Sequence, residues 1–312
     1  MLSLPPSLRR AFAACCALLC VGAHHASAVI YEGAFTVTNR PTGFAVSPKT
    51  GDIFMTVNST GYIYEYPAGG SDKYKNSWGA YGSVKTVIRG PTFLTFGPDG
   101  NLYIYSGYDG AIWKGTPAGK NLSVFYTRQF QKPTAMAVDA NNEVYVTDQK
   151  TGTVTKLSSK GDQLHQWVVP KPGEPNTPAR GLEDIYADIR TSGGVKTTYL
   201  YVVDGADGVV RKYTTQGALL KTFGSKGTGR GQLMHPVSVT VDDLGLVYVA
   251  DPSNERIQIY EPDGSPGYDF VITQGHFPTF FVPLKLVLYK RTGTLYVLMS
   301  VNWTTVYKFR LY

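Results

Sequence analysis

The stretch GSKGTGRGQ, residues 224–232, interleaves Gly224, Gly227, Gly229 and Gly231 with Lys226 and Arg230, the make-up of a loop that cradles phosphate. That chemistry needs a lysine directly behind the last glycine and a helix beyond it, so that backbone amides and the helix dipole converge on the anion. Here Lys226 comes too early, and the segment that follows, PVSVTVD, alternates as a strand does. The glycines instead predict a connection between strands in which positive φ is needed repeatedly. A second cluster, Glu183-Asp184 in ARGLEDIYAD, offers two adjacent carboxylates, and oxygen-rich sites of this kind hold Ca2+. Adjacent residues of a regular strand point to opposite faces, so the pair converges only where the strand is irregular. The other reading makes Glu183 an ion-pair partner of Arg180. Beyond residue 28 the histidines are His165, His235 and His276. Zinc needs three or four convergent ligands, so Zn2+ is a weaker expectation than Ca2+. No G-x-S-x-G stretch is present, and nucleophilic catalysis has no support.

These groups have to be positioned by the rest of the chain, and its first 28 residues read as a leader. Arg9 and Arg10 precede the apolar run AFAACCALLCVGA, and Ala26-Ser27-Ala28 is an A-x-A cleavage site. Cleavage after Ala28, secretion and no membrane anchor are the expectation, because no other run reaches the length of a membrane span. All three cysteines, Cys15, Cys16 and Cys20, fall in this leader, which predicts a mature chain without disulfides or thiol chemistry. Leaving out Arg9 and Arg10 lowers the formal charge from +7 to +5, with the basic residues dispersed. So mild an excess argues against a nucleic-acid partner. Asn58, Asn121 and Asn302 begin N-x-[ST] sequons, candidate glycosylation sites on surface loops.

From residue 41 onward one phrase recurs: a proline-led apolar strand, an Asp or Gly turn, then an aromatic-rich strand. PTGFAVSPKTGDIFMTV, PTFLTFGPDGNLYIYS, PTAMAVDANNEVYVTD, LEDIYADIRTSGGVKTTYLYVVD, HPVSVTVDDLGLVYVAD and PLKLVLYKRTGTLYVLM are the copies. Their second strands centre on Phe54, Tyr103, Tyr145, Tyr201, Tyr248 and Tyr296, spaced by 49, 42, 56, 47 and 48 residues. Such spacings are those of propeller blades. A third strand follows in each copy, and SVKTVI, LSVFYT, LHQWVV, ALLKTFG and YDFVIT read as fourth strands of the first five. The sixth copy lacks one, while VIYEGAFTVTN (29–39) is a spare strand at the other end. Placing it as the outer strand of the last blade balances the count. The chain is therefore all-β, a six-bladed β-propeller over residues 29–312 as a single domain, and a monomer is expected.

The fifth copy, FGSKGTGRGQLMHPVSVTVDDLGLVYVADPSNERIQIYEPDG, resembles an NHL repeat in its Gly-rich lead-in, the Pro before the inner strand, YVAD, N-x-R-I and the closing DG. The resemblance extends more weakly over the other blades and places the chain beside propellers of the TolB-like type. It implies a ligand site at one mouth of the central channel, around the starts of the inner strands. Thr42, Thr92, Thr134, Glu183, Asp184 and His235 lie there, with His276 able to approach. Similar propellers include gluconolactonase- and paraoxonase-like enzymes with acidic metal ligands, and peptidylglycine α-amidating lyase, which uses histidines of several inner strands. This sequence departs from the lyase pattern: threonines follow Pro41, Pro91 and Pro133, and Val237 follows Pro236. The first expectation is a secreted binding module for a protein, peptide or glycan; the alternative is a metal-dependent lyase or lactonase-like hydrolase. Asp148, Asp204 and Asp251, ending second strands, are expected to hold turns, Asp251 pairing with Arg256. In YEYPAGGSDKYKNSWGAYG (64–82) the aromatic residues either pack on the next blade or stand exposed for recognition.

Overall fold

The computed structural model describes residues 29–37, 39–79, 88–128, 130–270, 282–299 and 305–311. The leader expected at residues 1–28, His276, Asn302 and Tyr81 lie outside them. Six four-stranded antiparallel sheets follow one another along the chain. Their inner strands are Gly43–Val46, Pro91–Phe96, Pro133–Val138, Leu182–Ser192, Ser238–Val241 and Pro283–Tyr289. Each inner strand packs on the next, and the sixth packs on the first, so the blades close into a ring around a channel. Among the described residues no helix is long and apolar enough to cross a membrane.

Period-two alternation explains the layering. Five of the second strands are buried on both faces, and that of blade four is buried over Leu200–Asp204, because these residues meet the neighbouring blade on either side. Phe54, Tyr103, Tyr145, Tyr201, Tyr248 and Tyr296 are all buried at the blade interfaces. Two of these tyrosines donate to a turn aspartate six residues earlier: Tyr145 to Asp139 at 3.0 Å and Tyr248 to Asp242 at 3.1 Å. The D-x5-Y spacing in DANNEVY and DDLGLVY is a second repeat signal that the strand pattern alone did not raise.

The ring closes with the chain's own first strand. Ile30–Thr36 pairs antiparallel with Thr305–Arg310, completing the sixth blade in the order first, last, second-last and inner strand. Val29 packs with the core between the fifth and sixth blades, while Phe35 and Val37 are buried with Met55 and Tyr66 between the sixth and first. Asp72, in a loop of blade one, accepts from the Thr36 amide at 2.7 Å.

One strand falls elsewhere than expected. The outer strand of blade one is Asn76–Gly79, paired with Tyr62–Tyr66, and not SVKTVI. Most of SVKTVI lies outside the described residues. The expected segment alternated better, but the loop 67–75 brings NSWG into register first, and Trp78 Nε1 then donates to the Pro117 carbonyl of blade two at 3.0 Å. The described aromatic residues of the segment 64–82 accordingly pack. Tyr64 and Tyr66 are buried, and the half-exposed Tyr74 stands edge-on to both.

The glycine-rich stretch is a blade connector. Gly224 and Gly231 have φ of 78° and 73°, a region other residues rarely adopt. Lys226 Nζ donates to the carbonyls of Gly205 and Ala206, and Arg230 donates to those of Pro266 and Gly267. Both cations are thus engaged by backbone oxygens rather than held for a phosphate.

Candidate functional site

Inner strands all start at one face of the ring, here the upper face, together with the turns between second and third strands. Thr42 hydrogen-bonds with Thr56 at 3.2 Å and donates to the Pro91 carbonyl. Thr56 donates to the Thr92 carbonyl, and Asn58 lies 3.5 Å from the Thr92 hydroxyl. Thr134 pairs with Thr147 at 2.9 Å. These expected mouth residues therefore form a hydroxyl-rich rim over the first three blades. Tyr108 rises beside it on the turn of blade two with 71% of its surface exposed.

Second-strand aspartates fasten the connectors that feed this rim. Asp148 accepts from the amides of Gln131 and Lys132, just before Pro133. Asp251 does the same for Met234 and His235, just before Pro236. It also accepts from Asn254 at 2.6 Å, whereas Arg256 donates to the carbonyls of Gly229 and Gln232; the expected Asp251–Arg256 pair is replaced by these two anchorings of one loop. Blade two has Ser106 at the corresponding position, and Asp109 takes over by accepting from the Arg89 amide. Asp204 is different: it is fully buried and bound by Arg211 Nη1 at 2.9 Å, with Asp207 3.9 Å from Nη2.

Glu183 and Asp184 do not converge. The ladder with the second strand slips between Leu182 and Asp184, so the strand is irregular at the pair. The slip still sends the two side chains to different neighbours. Glu183 accepts from Gln149 of blade three at 2.9 Å, while Arg180 donates to the Lys150 carbonyl instead. Asp184, buried on the channel wall, is bound by Lys285 Nζ of blade six at 2.6 Å and Ser238 Oγ of blade five at 2.7 Å. A cation approaching Asp184 meets the Lys285 ammonium, which opposes Ca2+ there. His235 is exposed, its Nδ1 3.0 Å from the Gly205 carbonyl, and His165 stacks on Trp167 in the outer strand of blade three. Among the described residues no three His, Asp, Glu or Cys side chains are grouped to hold a metal ion.

Burial pushes the Glu183 carboxyl above its ordinary value, with His235 and Gln149 acting in the opposite sense. The folded chain therefore holds this proton more tightly than the unfolded chain. Stability from this group is gained as pH falls through the folded pKa towards 4.5 and lost as pH rises. Glu183→Gln is expected to raise the thermal midpoint at pH 7 by about 1–3 °C, with the advantage closing as pH approaches 4.5. A lower midpoint at pH 7 would mean that the charge is needed where it sits.

Six twisted four-stranded blades around a channel, with Asp-anchored connectors, define a six-bladed β-propeller, and residues 233–260 match the family model described as NHL repeat. The chain is a six-bladed β-propeller whose fifth blade carries an NHL repeat. It is 35% identical over 128 residues to NHL repeat-containing protein 3 of Homo sapiens, covering 38% of this chain and 35% of that protein. Over 55 residues it is 47% identical to E3 ubiquitin-protein ligase TRIM71 of Rattus norvegicus, 18% of this chain and 6% of that protein. The match thus spans about a third of the first relative and a small part of the second. Among solved structures, streptogramin B lyase superposes with a TM-score of 0.59 at 12% identity, covering 90% of this chain and 97% of that one. Virginiamycin B lyase from Staphylococcus aureus gives 0.58 at 14% identity, covering 90% and 99%. At such identities the likeness is one of fold.

Proposed function

We propose that the chain is a secreted binding module that holds an extracellular protein, peptide or glycan on its upper face, around the channel mouth. The observation that carries this reading is how the carboxylates of that face are used. Asp109, Asp148 and Asp251 fasten connector amides, and Asp184 holds Lys285. What faces outward is the threonine rim, the exposed ring of Tyr108 and the exposed Lys132. Hydroxyls beside an exposed aromatic suit hydrogen-bonded, stacked recognition rather than bond cleavage. Shared repeat sequence with NHL repeat-containing protein 3 supports an interaction role. Secretion rests on the leader sequence. Asn121 is exposed in the turn before the outer strand of blade two, the better placed of the two described sequons for a glycan.

The test is to screen the mature protein against arrays of extracellular peptides and glycans, then to measure hits by surface plasmon resonance on variants. Tyr108→Ala is expected to weaken a genuine upper-face ligand by about 30-fold, the loss of an anchor worth about 2 kcal/mol. Lys160→Glu, on an exposed turn of the lower face, should leave it unchanged. Hits that bind both variants like the wild type would defeat the proposed location.

A further inference from the structure

The channel is not merely the axis of the ring. It holds an open-ended cavity of about 340 Å³ lined by all six inner strands. That volume corresponds to about eleven water-sized groups, within the range of small-ligand pockets. Its walls are unlike the hydroxyl-rich upper rim: Phe44, Leu94, Phe96, Met136, Ile189 and Leu288 make them apolar. Towards the upper end the charges cancel, since Asp184 and Lys285 are paired at 2.6 Å.

The lower end is different. Asp188, buried, is bound by Arg190 Nε at 2.6 Å and Lys290 Nζ at 2.9 Å. Lys290 also lies 3.3 Å from Asp243, so these four groups sum to zero. Two further cations have no carboxylate partner among the described residues: Arg291, which lines the cavity, donates to the Lys49 carbonyl, and Lys49 Nζ donates to the Asp99 carbonyl. The Asp99 carboxylate is taken by Asn101 at 2.7 Å, with Lys114 at 3.6 Å. Of the charged residues that line this apolar tube, Asp184 pairs with Lys285 and Lys290 is held by Asp188, which leaves Arg291 at the lower end, with Lys49 beside it, engaged by a backbone carbonyl alone.

We propose that the channel binds a medium-chain carboxylate, its alkyl tail along the apolar walls and its carboxylate at Arg291 and Lys49. The cavity matches a tail of about ten carbons at about 30 Å³ per group. The terminal cations select a carboxylate over a neutral head, as a few placed polar groups do in an otherwise apolar site. This site lies on the opposite side from the upper rim and does not depend on what docks there.

The experiment is calorimetric titration of the mature protein with decanoate and, separately, with decanol. Saturable binding of one decanoate per chain is expected, at least tenfold tighter than decanol. Arg291→Gln with Lys49→Gln should remove that preference while leaving decanol binding unchanged. Ala187→Phe, from the channel wall of blade four, should abolish binding of both; Val287→Phe fills the cavity from blade six if the first variant fails to fold. Decanoate binding that survives a folded cavity-filling variant would place the ligand on the surface and overturn the proposal, as would no binding at all. Equal affinity for decanol and decanoate would overturn the role of the cations. Binding of array hits to Tyr108→Ala reports on the upper face alone, so the two readings fail separately.

Discussion

Deleting residues 29–37 should cost the propeller much of its stability. The segment supplies the outer strand of the sixth blade, and with it go the buried side chains of Phe35 and Val37 and the pairing from Ile30↔Arg310 to Thr36↔Thr305. Burying an aromatic or branched side chain contributes about 1.5–3 kcal/mol, and each net backbone hydrogen bond about 1 kcal/mol. The two side chains give about 3–6 kcal/mol and the ladder's hydrogen bonds several more, a sum that rivals the roughly 5–15 kcal/mol separating a typical folded domain from its unfolded chain. Phe35 also has no substitute nearby. Its ring lies against Gly70, where a Cβ would sit 2.2 Å from it, and it meets Tyr66 at 6.2 Å between centroids. The chain starting at residue 38 should lose its cooperative melting transition or shift it down by more than about 10 °C. A synthetic peptide of residues 29–37 added in excess should restore part of the loss by binding only the folded ring. A truncated chain melting like the full one would show that the closing strand contributes little.

Arg211→Met is the second large effect. Asp204 is fully buried, and Arg211 is its charge partner at 2.9 Å as well as the nearest cation to Asp207. Removing one member of a buried pair strands the other, at a cost of about 3–5 kcal/mol. Two carboxylates then share a site without a counter-ion, and burial with the Asp204 charge already holds the Asp207 carboxyl above its ordinary value. Proton uptake relieves that repulsion, so the variant should recover as pH falls from 7 towards 4.5. Combining Arg211→Met with Asp204→Leu removes the stranded charge and should return most of the stability at pH 7. A single variant as stable as the wild type, in denaturant melts at pH 7, would show that Asp204 finds another partner.

How much of this was legible depends on how far apart in the chain the partners lie. Strand alternation and the tyrosine spacing are local, and from them six blades, the closing strand and the role of the glycine-rich connector followed. The outer strand of blade one did not, because NSWG carries no apolar alternation and is held by Trp78 on blade two. At the channel the limits are sharper. Glu183 and Asp184 are neighbours in sequence, but their partners Gln149, Ser238 and Lys285 come from blades three, five and six. Ring closure, not spacing, decides that one carboxylate faces blade three and the other the channel. The cavity is illegible for the same reason: Phe44, Met136 and Leu288 each read as ordinary strand residues, and only their meeting at the axis leaves an apolar space between them.

Blade four differs from its neighbours in one dimension. Its inner and second strands run to Leu182–Ser192 and Val195–Asp204, longer than those of any other blade, and turn at Gly193 and Gly194. The base of this hairpin is fixed on both sides: Thr198 Oγ1 accepts from the Ala140 amide of blade three, and Arg190 donates to the Asp242 and Asp243 carbonyls of blade five. Residues 191–197 beyond it are exposed. A ring of six like blades presents six nearly equivalent rotational settings to anything that lands on its lower face. The projecting hairpin breaks that degeneracy, so a molecule reading this face meets one angular origin and has a single way to align with the ring.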